Sequence, residues 1–140
     1  HANQTANVKN NIASLITASA AAQHRAYWDT GTGTSNVDYN LSDDTTNATY
    51  EAQGANSLKD KTAAQIDFIS TVSGAVGAFH LGASSVAREA GVDLGTTLDV
   101  NFDIDGVDRD ATGVTWDIGA DQASTAGAST SGKAFLMFLD

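Results

Sequence analysis

The chain has 140 residues and a mass of 14.4 kDa, which corresponds to about one domain. Its net charge of -10, with the few basic residues scattered along the chain, argues against binding to nucleic acid or to an anionic membrane, because phosphate groups require clustered Lys and Arg. Cysteine and proline are absent, which excludes disulfides and thiolate metal sites and leaves turns to Gly, Asn and Asp.

The first periodic segment admits two interpretations. Residues 8–12 alternate in the manner of a short strand, whereas residues 12–26 place apolar side chains on one helical face and include an alanine run that favours helix. Both interpretations stay open at this point. Residues 35–41 alternate strictly, with Val37, Tyr39 and Leu41 on one side, and therefore predict a strand.

Several short elements follow in the second half of the chain. Residues 66–69 and 78–81 predict four-residue strands, and residues 97–102 predict a longer strand with period two. Ser85 as a cap and Gly91 as a terminator predict one or two helical turns over residues 84–91. Short strands separated by small polar stretches, without a long amphipathic helix after residue 26, predict an all-β body.

The stretch from Asp99 to Asp121 is rich in acidic residues and glycines. Asn101, Asp103 and Asp105 offer side-chain oxygens at alternate positions before a glycine, as at the start of an EF-hand loop, but position twelve would be Thr112 instead of Glu. A structural interpretation is preferred, in which the two aspartates cap a tight turn and Arg109 pairs with a nearby carboxylate. The structural residues expected here are Asp103, Asp105, Gly106, Arg109, Trp116, Asp117 and Gly119.

Three segments of the chain resemble a known family. They are NVDYNLSDD at residues 36–44, AFHLGASSVAREAGVDLG at 78–95 and DIDGVDRDATGVTWDIGAD at 103–121. In order and spacing they resemble the C-terminal end of right-handed parallel β-helix, pectate-lyase-like repeat proteins, which finish with DFHL and SPAIDAG segments and then DIDG and DIGADE. Val86, Arg88 and Gln122 depart from that pattern. The resemblance implies a β-solenoid with short helical segments and a C-terminal strand.

The end of the chain differs in composition from the rest. Residues 1–122 form the expected β-helix-like body, and the small residues of 123–132 predict a flexible linker. Residues 133–140 form an apolar tail that would promote aggregation unless it docks as a strand on the body or on a neighbouring chain. The side chains expected to dock are Phe135, Leu136, Met137, Phe138 and Leu139.

The acidic, histidine and aromatic residues of the chain could in principle form a catalytic or binding site, but structural roles are preferred for them. The adjacent acids Asp43 and Asp44 suit solvated turns better than a catalytic pair. His24 and His80 are too isolated in the sequence for a metal site or a triad. Trp28 and Tyr50 are candidates for stacking on sugars, although a core role for a Trp is preferred. We expect no catalytic residue and no cofactor, with calcium as the alternative.

These observations favour a structural, non-enzymatic protein of an extracellular or virion-surface assembly. Short β-helix chains with a small-residue linker and an apolar tail resemble bacteriophage proteins, in which β-helices form capsid decorations, fibres and tail proteins. The expected partners are other protein chains, in a homo-oligomer or a larger shell, with neither nucleic acid nor membrane insertion. The alternative is a carbohydrate-binding or polysaccharide-degrading β-helix module.

Overall fold

A computed structural model of the chain describes residues 6–14, 35–43, 53–95, 100–110 and 115–123. Within these residues the regular elements are four short strands and one short helix. In chain order they are β1 (Ala6–Val8), β2 (Ile12–Ala13), β3 (Ser35–Val37), β4 (Leu41–Ser42) and α1 (Ala63–Ile66). The remaining described residues form turns, bends and isolated bridges.

The four strands lie in two stacked layers, and a third segment joins the second layer through one bridge; we call these three segments rungs. The first rung is residues 6–14, the second is residues 35–43 and the third is residues 53–60. β1 pairs in parallel with β3, with Ala6 opposite Ser35, and β2 pairs in parallel with β4, with Ile12 opposite Leu41. Leu58 of the third rung forms a parallel bridge with Leu41. Both strand pairs therefore keep one register, in which each residue lies opposite the residue 29 positions later.

The sequence repeats in the same register. NVKNNIAS at residues 7–14 aligns with NVDYNLSD at residues 36–43 without a gap. Asn10 and Tyr39 occupy the same position of the two rungs, and both have a φ of 56°. A left-handed residue between two short strands turns the chain, so the single strand predicted over residues 35–41 is wrong. Of the helix considered over residues 12–26, Ile12 and Ala13 are instead strand β2, and residues 15–26 lie outside the described residues.

The helix α1 begins at a capping box. The Thr62 hydroxyl accepts from the Gln65 N–H, and the Gln65 side chain accepts from the Thr62 N–H at 2.9 Å. The helix ends at Asp67, which is left-handed with a φ of 52°. A strand over residues 66–69 was predicted from their apolar character, and it is wrong because Ile66 belongs to the helix and Asp67 reverses the chain.

Later parts of the body are held by single bridges and turns. The predicted strand over residues 78–81 reduces to isolated bridges at Ala78 and Leu81. Residues 84–91 form consecutive turns instead of the predicted helix, and the Ser85 hydroxyl accepts from the Ala87 N–H at 3.2 Å. The strand predicted over residues 97–102 falls partly on residues 96–99, which lie outside the described residues, and Phe102 forms an isolated bridge.

Residues 115–123, which we call the closing segment, join the parts of the body. Their main chain is bonded to the first rung through Gly119 N–H and the Asn10 carbonyl, at 3.0 Å. A second bond runs from Ile118 N–H to the Ala87 carbonyl at 2.9 Å. Ile118 lies in a buried core with Leu41, Ile66, Leu81 and Ala87. The closing segment therefore connects the stacked rungs to residues 78–91 through both main-chain bonds and the core.

The predicted linker and docking tail fall outside the described residues, apart from Ala123. Phe135, Leu136, Met137, Phe138 and Leu139 therefore stay a prediction. Among the described residues no helix is long and apolar enough to cross a membrane.

Candidate functional site

One cluster of chemically active side chains stands out in the described part of the chain. His80, Asp105 and Asp121 come from three separate segments, and their potential ligand atoms all lie within 4.8 Å of one another. His80 Nε2 lies 3.0 Å from Asp105 Oδ2. The His80 side chain is 26% exposed and that of Asp105 is 58% exposed, whereas residue Asp121 is only 5% exposed. The cluster is therefore open to solvent at Asp105 and closed behind Asp121.

Main-chain hydrogen bonds hold each member of the cluster in position. Asp121 Oδ2 accepts from the Leu81 N–H at 2.8 Å, next to His80. The His80 carbonyl accepts from the Ile69 N–H at 2.9 Å. Asp105 stands in a turn that Asp103 organises, because Asp103 Oδ1 accepts from the N–H groups of Asp105 at 2.9 Å and Val107 at 2.8 Å. The three side chains therefore meet through tertiary contacts that are fixed independently.

The ionisation of the cluster reflects burial and mutual charge. Burial opposes protonation of His80, but the hydrogen bond to Asp105 and the charges of Asp121 and Asp105 outweigh it and raise the pKa of His80 above its ordinary value. Burial raises the pKa of Asp121, against the opposing effects of the Leu81 N–H and the His80 charge. His80 Nδ1 is buried without a hydrogen-bond partner.

A second group of buried charges lies around Arg109. Its guanidinium donates to the main-chain carbonyls of Gly119 at 2.9 Å and Asp117 at 3.4 Å, and lies 5.5 Å above the Trp116 ring. Burial lowers the pKa of Arg109, and the carboxylates of Asp103, Asp117 and Asp121 act in the opposite direction. Arg109 thus supports the main chain of the closing segment, and its pairing with a nearby carboxylate stays a prediction.

The carboxylate of Asp117 caps two main-chain N–H groups. One oxygen accepts from the Glu89 N–H at 2.6 Å and the other from the Ala123 N–H at 2.7 Å. Asp117 is 1% exposed, and burial raises its pKa above the ordinary value although these two hydrogen bonds lower it. The side chain therefore connects residues 84–91 to the end of the closing segment.

The residues considered for calcium make separate contacts in the structure. Asn101 is buried, and its carbonyl accepts from the Arg109 N–H at 2.7 Å. Asp103 Oδ1 faces its own turn, which Gly106 completes with a φ of 76°. Asp105 faces His80. Calcium at these positions stays a prediction, and the cluster that the structure assembles around Asp105 has different members.

Trp116 lines a cleft in the described part of the chain but has little free ring surface for stacking on a sugar. One cleft of about 440 Å³ is lined by Asp93, Asp110, Thr115 and Trp116. Trp116 is 3% exposed, its Nε1 donates to Asp110 Oδ1 at 3.0 Å, and Arg109 covers its ring. Trp28 and Tyr50, the sugar-stacking candidates, lie outside the described residues.

His80 and Asp121 were missed as functional candidates in the sequence. They are 41 positions apart, and neither belongs to a local motif with metal-ligand spacing. The one signal in the sequence is that both lie within the segments that carry the family resemblance. Comparison with models of known protein families, with curated proteins and with solved structures finds no match.

Proposed function

We propose that the chain is the C-terminal part of a right-handed parallel β-helix and serves as a structural, non-enzymatic component of an extracellular or virion-surface assembly. A bacteriophage capsid decoration, fibre or tail protein is the kind of component meant. The observation that carries the proposal is the parallel pairing of β1 with β3 and of β2 with β4 in one register. Coils of a solenoid stack through such pairs, each coil contacting only its neighbours.

The buried polar groups support a structural function. Asn40 is 0% exposed and connects the first two rungs, and the Asp117 carboxylate caps two main-chain N–H groups. Arg109 donates to two main-chain carbonyls. Buried polar side chains committed to the main chain stabilise one backbone arrangement. Because these buried side chains are already hydrogen-bonded to the main chain, they favour a structural component over an enzyme.

The first rung supplies a surface through which such a block can assemble. Among the described residues, β1 pairs with β3 alone. The Val8 carbonyl accepts from the Asp38 N–H at 3.2 Å, on the side of β3. Because neighbouring residues of a strand direct their main-chain groups to opposite sides, those of Asn7 face away from β3. An edge of this kind pairs with further strands, so we expect a homo-oligomer or a larger shell.

Light scattering after size-exclusion chromatography tests the proposal. We expect the molar mass of the purified chain to exceed that of one copy and to rise with concentration. Asn7→Pro should lower the mass toward that of a monomer while circular dichroism stays unchanged, because it removes an N–H from the outer edge only. The matched variant Val8→Pro should destabilise the fold, because Val8 lies in the ladder with β3. A stable monomer at every concentration would contradict the proposal.

The apolar tail is a second predicted contact of the same assembly. Deleting residues 133–140 removes Phe135, Leu136, Met137, Phe138 and Leu139 and leaves every described residue in place. If the tail docks on a neighbouring chain, the deletion should lower the molar mass without changing the midpoint of urea denaturation. If it docks on its own body, the midpoint should fall while the mass is unchanged. An effect on neither quantity would remove the tail from the proposal.

A further inference from the structure

The His80–Asp105–Asp121 cluster has the composition of a transition-metal site. One imidazole and two carboxylates suit zinc, manganese or nickel, whereas calcium and magnesium are bound by oxygen ligands. The imidazole thus distinguishes this cluster from an ordinary group of surface acids. His80 and Asp105 were interpreted from the sequence as unrelated residues, and only the tertiary contacts bring them together with Asp121.

The separations within the cluster suit a shared ion. Two ligands that are each about 2.1 Å from a metal lie roughly 3 Å apart in an octahedral site and roughly 3.4 Å apart in the tetrahedral site that zinc prefers. The distance between His80 Nε2 and Asp105 Oδ2 is 3.0 Å. Asp121 adds a third potential ligand, whose oxygen lies within 4.8 Å of the other two ligand atoms. The exposed side at Asp105 leaves an entry path and room for water as the remaining ligands.

The local charge favours a cation. The negative charges of Asp103 and Asp105 disfavour ionisation of Asp121 and so contribute to its raised pKa. Arg109 interacts electrostatically with Asp103 and Asp121. With Asp117, which also acts on Arg109, four carboxylates lie near one guanidinium and one imidazole, in a chain with a net charge of -10. A divalent ion would offset the excess negative charge near the buried Asp121.

We propose that His80, Asp105 and Asp121 bind one divalent first-row transition ion, with zinc as the representative ion. The ion connects three segments of the body, namely residues 78–82, residues 103–107 and the closing segment. Its role is structural, because an ion that binds the folded state alone stabilises that state, and the stabilisation grows with the logarithm of the ion concentration once this exceeds the Kd. The site is additional to the assembly function proposed above and does not depend on it.

Isothermal titration with zinc chloride tests the site in the 140-residue chain. The starting protein should carry His1→Ala and His24→Ala, because a terminal histidine chelates zinc through its amine and imidazole. In this background His80 is the remaining histidine, so binding of one equivalent of zinc reports on the cluster. Cobalt chloride provides a second readout, since the absorption of the ion becomes stronger when it passes from six-coordinate in water to four- or five-coordinate in the protein. Calcium chloride should bind at least tenfold more weakly than zinc.

Variants of the two aspartates separate ligation from folding. Asp105→Asn and Asp121→Asn should each weaken zinc binding at least tenfold, which is the minimum expected for loss of a ligand. Asp105 is exposed, so its variant should keep the fold and thus the circular dichroism spectrum. Asp60→Asn, at an exposed residue outside the cluster, should leave affinity unchanged. Failure to bind zinc, or equal affinity in all three variants, would overturn the proposal, as would tighter binding of calcium.

Discussion

Asn40 accepts two hydrogen bonds from Asn11, the residue that lies 29 positions earlier and one rung away. Its Oδ1 receives the main-chain N–H and the side-chain Nδ2 of Asn11, both at 3.0 Å. Its own Nδ2 donates to the carbonyls of Val8 at 2.8 Å and Asp38 at 3.0 Å. One buried amide therefore satisfies main-chain groups of two successive rungs and fixes their register.

Replacing Asn40 with Ala should lower the free energy of unfolding by about 3 kcal/mol, because buried donors and acceptors in both rungs lose their partner. The midpoint of urea denaturation measures the loss. The matched control is Asn36→Ala, at an exposed position of β3, for which we expect a change of about 0.5 kcal/mol or less. Equal effects of the two substitutions would show that Asn40 does not connect the rungs.

The stacked rungs could be predicted from the sequence only in part. Alternation placed Val37 and Leu41 correctly in strands, because apolar side chains with period two are a local signal. The break at Tyr39 was not predictable, since aromatic residues rarely adopt a positive φ and nothing in the segment marks one. The register between rungs depends on the match of two distant eight-residue segments, which becomes evident once their pairing is known.

The partners of the buried charged side chains were harder still to predict from the sequence. The acid-rich stretch predicted that Asp103 caps a tight turn, but it did not predict what Arg109 and Asp117 bind. Arg109 donates to carbonyl groups and Asp117 accepts from N–H groups, and these main-chain groups carry no residue-specific signal in the sequence. The contact between His80 and Asp105 depends on how residues 78–82 and 103–107 fold together. The sequence shows which polar residues are concentrated in this stretch, whereas their hydrogen-bond partners depend on the tertiary structure.

Replacing Arg109 with Lys should destabilise the fold by about 2 kcal/mol although the positive charge is kept. Lysine lacks the planar fork that reaches the carbonyls of Asp117 and Gly119 and that stacks on Trp116. Thermal and urea denaturation measure the loss. Arg88→Lys, at a half-buried position, is the control and should have a smaller effect. A neutral Arg109→Lys would mean that charge alone is required at this position.

Replacing Gly91 with Ala should destabilise the fold by about 2 kcal/mol through a steric clash. A Cβ at this position would lie 2.6 Å from the Asp117 carbonyl oxygen and 2.8 Å from that of Trp116, and main-chain atoms cannot move aside cheaply. The control is Gly74→Ala, where a Cβ would have open space around it but φ is +81°. We expect the control to lose about 1 kcal/mol from backbone strain. A smaller loss for Gly91→Ala than for Gly74→Ala would contradict close packing of residues 84–91 against the closing segment.

Replacing Asp117 with Asn should both lower stability and change its dependence on pH. Each carboxylate oxygen accepts from a main-chain N–H, so an amide would direct its own N–H₂ group at one of those donors. We expect a loss of about 1–2 kcal/mol at neutral pH, as for other buried groups deprived of a partner. Urea denaturation at several pH values provides the measurement.

The sign of the pH effect follows from the pKa of Asp117. Burial raises it above the ordinary value of 3.8, so the folded protein binds this proton more tightly than the unfolded chain. The contribution of Asp117 to stability is therefore fully present below 3.8 and is lost as pH rises through the raised pKa. Asparagine cannot bind this proton. The loss in the free energy of unfolding caused by Asp117→Asn should therefore become larger as pH falls from neutral toward 3.8. Asp60→Asn, at an exposed turn residue, controls for the loss of one negative charge. A deficit that narrows on acidification would show that the hydrogen bonds from Glu89 and Ala123 outweigh burial and lower the pKa of Asp117.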